Sequence, residues 1–432
     1  MNARWIRLLP AVFAAFALCW SVPGNTGERF GVHVAPGGSE FPLALPRPVA
    51  QGGTDKAAAE IWAVVRRDLE MTGYFKIIDP NAYIEQTGGV EPGTFDFGNW
   101  RMIKAAGLAK TRVLTTGTGV RADVYVYDVS SGEKIEAKGY VGDNEDIRYL
   151  GHRIADAILL ALTGEPGFFG ARLAVVGSKS GKKEIYRMDI DGEGVAAITN
   201  NGTINLSPAW APNGTQVAFT SYRRNNADVY IKDIKTGRLR PISEKPGMDS
   251  GAAWSPDGTK IALARSEGGE TDIFVIDAST GAEIQRVTKV SGIDVSPSWS
   301  PDGRKLAFAS ERSGGSQIYI QDLASGSATR VTFQGSFNSD PVFSPDGTKI
   351  AFVGRDGRFN VYVVGIDGRN MIAITQNDGD NEDPAWSPDG RYLVFSSTRR
   401  GRSEIWLSTA DGRHQSAVTD GTGGWTQPAW AP

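Results

Sequence analysis

Cysteine is almost missing from this chain: Cys19 is the single one in 432 residues. A disulfide framework and a thiolate zinc site are both excluded. Histidine is nearly as scarce, with only His33, His152 and His414, and they are far apart in the sequence. None stands in a serine and carboxylate pattern that signals a triad. A G-x-S-x-G nucleophile elbow, a P-loop and a dinucleotide fingerprint are also lacking. These gaps argue against an enzyme, a cofactor or a bound metal, and no compact carboxylate loop suits calcium. Excess positive charge is missing too: 46 basic against 49 acidic residues give a net charge of -3, so nothing points to nucleic acid. The 53 glycines follow no three-residue period, which excludes collagen and favours a turn-rich β protein.

Long apolar runs are absent but for one. After Arg4 and Arg7, an apolar stretch runs from Leu8 to Trp20. It is too short to span a bilayer comfortably and has the layout of a secretory signal peptide. We expect residues 1–27 to form that signal, with no clean cleavage motif, and the mature protein to be soluble and exported. Cleavage removes Arg4, Arg7 and Cys19. The net charge then falls by two, to -5.

What is present is a repeat. Trp210, Trp254, Trp299, Phe343, Trp386 and Trp430 recur at intervals of 44, 45, 44, 43 and 44 residues. Five of them precede a turn, Ala211–Gly214 (APNG) or an SPDG at Ser255, Ser300, Ser344 and Ser387. A short apolar strand follows each turn, as in KIALAR, and then a second strand with an aromatic, as in DIFVID. Four short strands per repeat is the signature of a propeller blade. The first repeat lacks its opening strand and the last, PAWAP, has nothing after it. The two ends complement each other, so 171–432 is expected to be a six-bladed β-propeller closed by the C-terminal strand, with no free edges. The repeated tryptophans are expected to pack between blades.

Five residues before each anchor aromatic stand Asn205, Asp249, Asp294, Asn338, Asn381 and, breaking the pattern, Trp425. These positions precede the strand that should line the central channel, with Asp340 and Asp383 nearby. Read functionally, they form a polar channel mouth that binds a partner loop or a cation. Read structurally, Asn and Asp cap turns.

Residues 28–165 lack the repeat and read as a small α/β N-terminal domain. Thr54 is a plausible cap for a helix with an apolar stripe at Ile61, Val64, Val65 and Leu69. Strands are expected from Tyr74, Thr111 and Arg121 and at 133–140, with a short helix around 95–107. A last helix carries Ile147, Leu150, Ile154, Ile158 and Leu162 on one face, with His152 as a surface or packing residue. Residues 166–170 form a compact linker. Ahead of Asp55 the chain is rich in glycine and proline. Phe30, Val32 and Val34 mark an extended arm suited to strand addition on a partner, or a plain terminus.

The ordered combination of a signal, EIWAVVRRDLEMTGYFKIIDP (60–80), LGHRIADAILLALTGEPGFF (150–169) and a WSPDG propeller resembles the TolB family, the periplasmic component of the Tol-Pal system. The resemblance covers 28–432. It implies a periplasmic adaptor with no catalysis. Its propeller mouth would receive the peptidoglycan-associated lipoprotein Pal. Its N-terminal arm would reach TolA, and outer-membrane proteins are further candidates. Its role would be in outer-membrane constriction at cell division and in envelope integrity. The other reading is a periplasmic propeller that binds a small ligand or glycan.

Overall fold

The computed structural model describes residues 40–85, 88–117, 119–143 and 147–432. The signal segment and the arm residues Phe30, Val32 and Val34 lie outside them. Six strands build the first sheet: β1 (Phe41–Ala44), β2 (Val49–Gln51), β3 (Phe75–Ile77), β4 (Gly107–Thr116), β5 (Gly119–Asp128) and β6 (Lys134–Asp143). Their order is β3-β1-β4-β5-β6, with β2 beside β4. Helices α1 (Asp55–Met71) and α3 (Ile147–Thr163) cover one face. Their stripes, including Ile61, Val65, Leu69, Ile154 and Ile158, meet Val113 and Val124 of the sheet. A short helix, α2 (Phe97–Met102), closes the other face, where Trp100, Leu108 and Tyr127 are buried.

Two details differ from the sequence reading. Thr54 precedes α1 but makes no side-chain cap; its hydroxyl donates to the Val113 carbonyl (2.9 Å), tying the helix start to β4. The β4 strand begins four residues earlier than expected and buries Lys110. That ammonium lies 4.6 Å from the centre of the Phe95 ring, while Arg112 pairs with Asp123 at 2.9 Å. Aromatic faces and a facing carboxylate thus make two cations compatible with this strand.

From Arg172 onward the chain forms six four-stranded antiparallel sheets. The innermost strands of blades one to five are Asn205–Trp210, Asp249–Trp254, Asp294–Trp299, Asn338–Phe343 and Asn381–Trp386. In the closing blade, Thr426–Trp430 pairs with Arg172–Gly177, so the two ends of the propeller chain share one sheet. The anchor indoles lock neighbouring blades: Trp254, Trp299 and Trp386 each donate Nε1 to a carbonyl of the preceding blade, at Ala209, Ala253 and Val342. The SPDG turns are held by their own side chains. Ser255 Oγ donates to Asp257 Oδ1 (2.6 Å) and accepts from Lys260 N (2.9 Å), with Gly258 at φ 69° supplying the left-handed corner. Hydrogen bonds from Ser255 and Thr259 hold the Asp257 carboxyl down at about 2.

The first domain docks on the turn end of the propeller, over blade five and the closing blade. Phe168 packs against Tyr392 (4.6 Å between ring centres) and Trp430 (5.7 Å). Tyr392 Oη donates to the Thr72 carbonyl, and Arg391 to that of Pro166. One apolar core therefore runs from Leu69 and Phe169 through Leu173 and Met188 to Trp430.

Candidate functional site

Each innermost strand runs from the loop end of its blade to the turn end. In blade one its first residue, Asn205, pairs with Ser221, and its last, Trp210, pairs with Val217 beside the turn. Midway, the register shifts in all six blades. At each shift stands a residue with left-handed backbone: Ser207, Gly251, Ser296, Asp340, Asp383 and Gln427, with φ between 50° and 64°. This bulge breaks strict alternation. It leaves two consecutive residues per blade half-buried around the axis.

The bulge relocates the expected polar ring. Asn205, Asp249, Asp294, Asn338 and Asn381 are 0–3% exposed and do not line the channel. They are held inside the blades instead. Asn205 Nδ2 donates to Glu184 (2.9 Å) and Asn338 Nδ2 to Gln317 (3.0 Å), both on the preceding blade. Asp249 accepts from Arg265 (2.7 Å) and Asp294 from Arg312 (3.1 Å). Asn381 accepts from Arg399 (3.0 Å) and donates to Asp378 (3.0 Å). Trp425 is also buried, edge-on to Tyr186 at 5.3 Å. A structural role inside the blades therefore describes these six better than a channel lining.

Asp340 and Asp383 are different, because the bulge does bring them to the axis. Ser296 Oγ donates to Asp340 (2.7 Å), and Ser396 Oγ (2.8 Å) and Gln427 N (3.1 Å) donate to Asp383. Burial and then the neighbouring Asp340 charge push the Asp383 carboxyl up to about 7. Glu382 is raised by burial and by Asp380 and Asp340. Blades four and five thus give the channel one acidic wall. Towards the turn end the channel widens into a funnel of about 540 Å³, lined by Pro208, Pro297, Pro341 and the anchor aromatics.

The loop end carries residues that the sequence reading missed. One position before the buried ring stand Ile204, Met248, Ile293 and Phe337, exposed by 44, 52, 44 and 37%. Asp380 holds this position in blade five. The backbone beneath them is fixed in the same way in each blade: their carbonyls accept from Tyr222, Ser266, Glu311 and Arg355, at 2.9–3.1 Å. Four large apolar side chains in consecutive blades, on a pinned backbone around one mouth, form a candidate docking surface. The first domain sits at the other end, so among the described residues this mouth is uncovered. The signal was present in the sequence as Ile-Asn, Met-Asp, Ile-Asp and Phe-Asn, in the column beside the one chosen.

Comparison with known proteins agrees with this architecture. A family model for the TolB beta propeller domain matches residues 160–432, and one for the TolB amino-terminal domain matches 33–135. Among curated relatives, the Tol-Pal system protein TolB of Geobacter sulfurreducens is 38% identical over 42% of this chain and 43% of its own length. That of Anaeromyxobacter dehalogenans is 37% identical over 49% of each. The chain thus spans about half the length of the curated relatives it matches. The crystal structure of TolB from Acinetobacter baumannii superposes with a TM-score of 0.81 at 28% identity, covering 91% of this chain and 97% of that one. A chain of a nidogen/laminin complex, at 9% identity and TM-score 0.51, shares the propeller fold alone.

Proposed function

The chain belongs to the TolB family, and on that premise we propose that it is a periplasmic adaptor of the Tol-Pal system that binds Pal at the loop-end mouth of the propeller. The observation that carries this reading is the exposed set Ile204, Met248, Ile293 and Phe337 on a fixed backbone. It supports binding by surface complementarity, with apolar anchors giving the energy and the acidic wall at Asp340, Asp380, Glu382 and Asp383 giving orientation. The partner face that fits is an apolar loop flanked by a basic group. No described helix is long and apolar enough to cross a membrane, in keeping with work between the two membranes. The N-terminal arm with Phe30, Val32 and Val34 is proposed to reach TolA by strand addition, and the complex to support outer-membrane constriction at division.

The test is calorimetric titration of the mature chain with the soluble domain of the same cell's Pal-like lipoprotein. Burying one such side chain is worth about 1.5–3 kcal/mol. Met248→Glu and Phe337→Glu are each expected to weaken a one-to-one complex by at least about tenfold. Full affinity in both variants would move the site elsewhere. An absence of binding by the native chain would remove the adaptor reading and favour a ligand-binding propeller.

A further inference from the structure

The junction between the two domains holds a polar cluster that the adaptor role does not use. His152, on α3, is 2% exposed rather than a surface residue, and its Nδ1 lies 2.7 Å from Asp68 Oδ2 on α1. Its other ring nitrogen, Nε2, is buried with no hydrogen-bond partner. That nitrogen faces Asp189 of the closing blade, with Oδ2 at 3.9 Å. One ring nitrogen of His152 and one oxygen each from Asp189 and Asp191 lie within 4.8 Å of one another. A cavity of about 220 Å³, lined by Arg148, His152, Arg172 and Asp189 among others, opens onto His152 and Asp189.

We propose that this junction is a binding site for a divalent transition metal, with Zn²⁺ the best match, held by His152 Nε2, Asp189 and Asp191. The donor set is one imidazole and two carboxylates, which suits a borderline ion better than Mg²⁺ or Ca²⁺. Asp68 completes the arrangement from behind. When Nδ1–H donates to it, the lone pair stays on Nε2, directed at the two carboxylates, and the imidazole becomes a better ligand.

The same carboxylates are now satisfied by other cations. Arg148 donates to Asp191, and its Nε is 3.5 Å from Asp189. Arg172 Nε is also 3.7 Å from Asp189. Binding is therefore an exchange of cations: the ion takes Nε2, and Arg148, whose side chain is 29% exposed, turns outward. Because the ligands come from α3 and from the closing blade, the ion would clamp one domain to the other.

The experiment is titration of the untagged mature chain, freed of metal by dialysis against a chelator, with ZnCl₂ by calorimetry, and thermal unfolding in parallel. One equivalent is expected to bind and to raise the melting temperature, with no such effect from MgCl₂ or CaCl₂. Asp189→Asn and Asp191→Asn should each weaken binding by about tenfold or more. Arg148→Ala should tighten it, because the competing cation is gone; a purely ionic junction would only lose stability. His152→Gln, if it folds, should abolish binding, and the two aspartate variants settle the matter if it does not. No saturable Zn²⁺ binding, binding indifferent to both aspartate variants, or no tightening in Arg148→Ala would each overturn the proposal.

Discussion

Replacing Asp249 by alanine should damage stability and leave partner binding intact. The Arg265 guanidinium that pairs with it is only 6% exposed. Its Nε lies 2.7 Å from Asp249 Oδ1, its Nη2 donates to Ser243 (3.0 Å), and its Nη1 reaches Glu283 (3.2 Å). Removing one member of a buried pair costs about 3–5 kcal/mol, because the other charge is stranded. Glu283 is 47% exposed and keeps part of the compensation, so the low end of that range, about 3 kcal/mol, is expected. Asp294→Ala provides the internal contrast. Arg312 is 18% exposed, already donates Nε to Ser310 (2.7 Å), and can turn to water, so about 1 kcal/mol is expected. For a domain of this size the two losses correspond to melting-temperature drops of roughly 6 °C and 2 °C. Thermal and urea unfolding measure both. Titration with the Pal-like domain, below the transition of the weaker variant, measures affinity. Two variants as stable as the native chain that no longer bind the partner would refute the reasoning, and would restore Asp249 and Asp294 as contact residues.

The remaining predictions concern the axis, the closure and the docked domain. A carboxyl whose folded pKa is raised binds its proton more tightly folded than unfolded, so its contribution to stability is full at low pH and is lost as pH rises from about 4 to about 7. Asp383→Asn should flatten that decline and leave the protein more stable above pH 7, read by urea unfolding across pH; an unchanged pH profile would count against the crowded acidic wall. Deleting residues 425–432 removes the strand paired with Arg172–Gly177 and exposes a sheet edge, so unfolding should lose its single cooperative transition, as seen by calorimetry. Phe168→Ala empties the contact with Tyr392 and Trp430 and should cost about 3 kcal/mol, mainly by loosening the first domain from the propeller; limited proteolysis of 164–170 should then speed up.

The six blades were legible because each repeat restates the same alternation and the same turn, so errors in one copy are corrected by the others. The missing first strand and the surplus last one pointed to ring closure for the same reason. The polar ring was assigned to the channel for a local reason. The left-handed residue at Ser207 and its five equivalents breaks the alternation, and a pattern of period two cannot show which side of a bulge faces the axis. Asn205 therefore looked like a channel residue and is an inter-blade clasp, while Ile204, beside it, faces solvent. His152 could not be read from its surroundings either. Its partners Asp68 and Asp189 lie on another helix and on the propeller, and only docking brings them together. The burial of Lys110 in β4 was not legible either, because the aromatic rings that receive it come from α2 and the segment before it.

The central claim is that the partner binds the loop end and not the turn end. Amide hydrogen exchange of the mature chain, alone and saturated with the Pal-like domain, tests it most directly. The account predicts new protection in the segments around Ile204, Met248, Ile293 and Phe337, with the SPDG turns unchanged. Protection confined to those turns and to the proline-lined funnel, with the loop end unaffected, would contradict it.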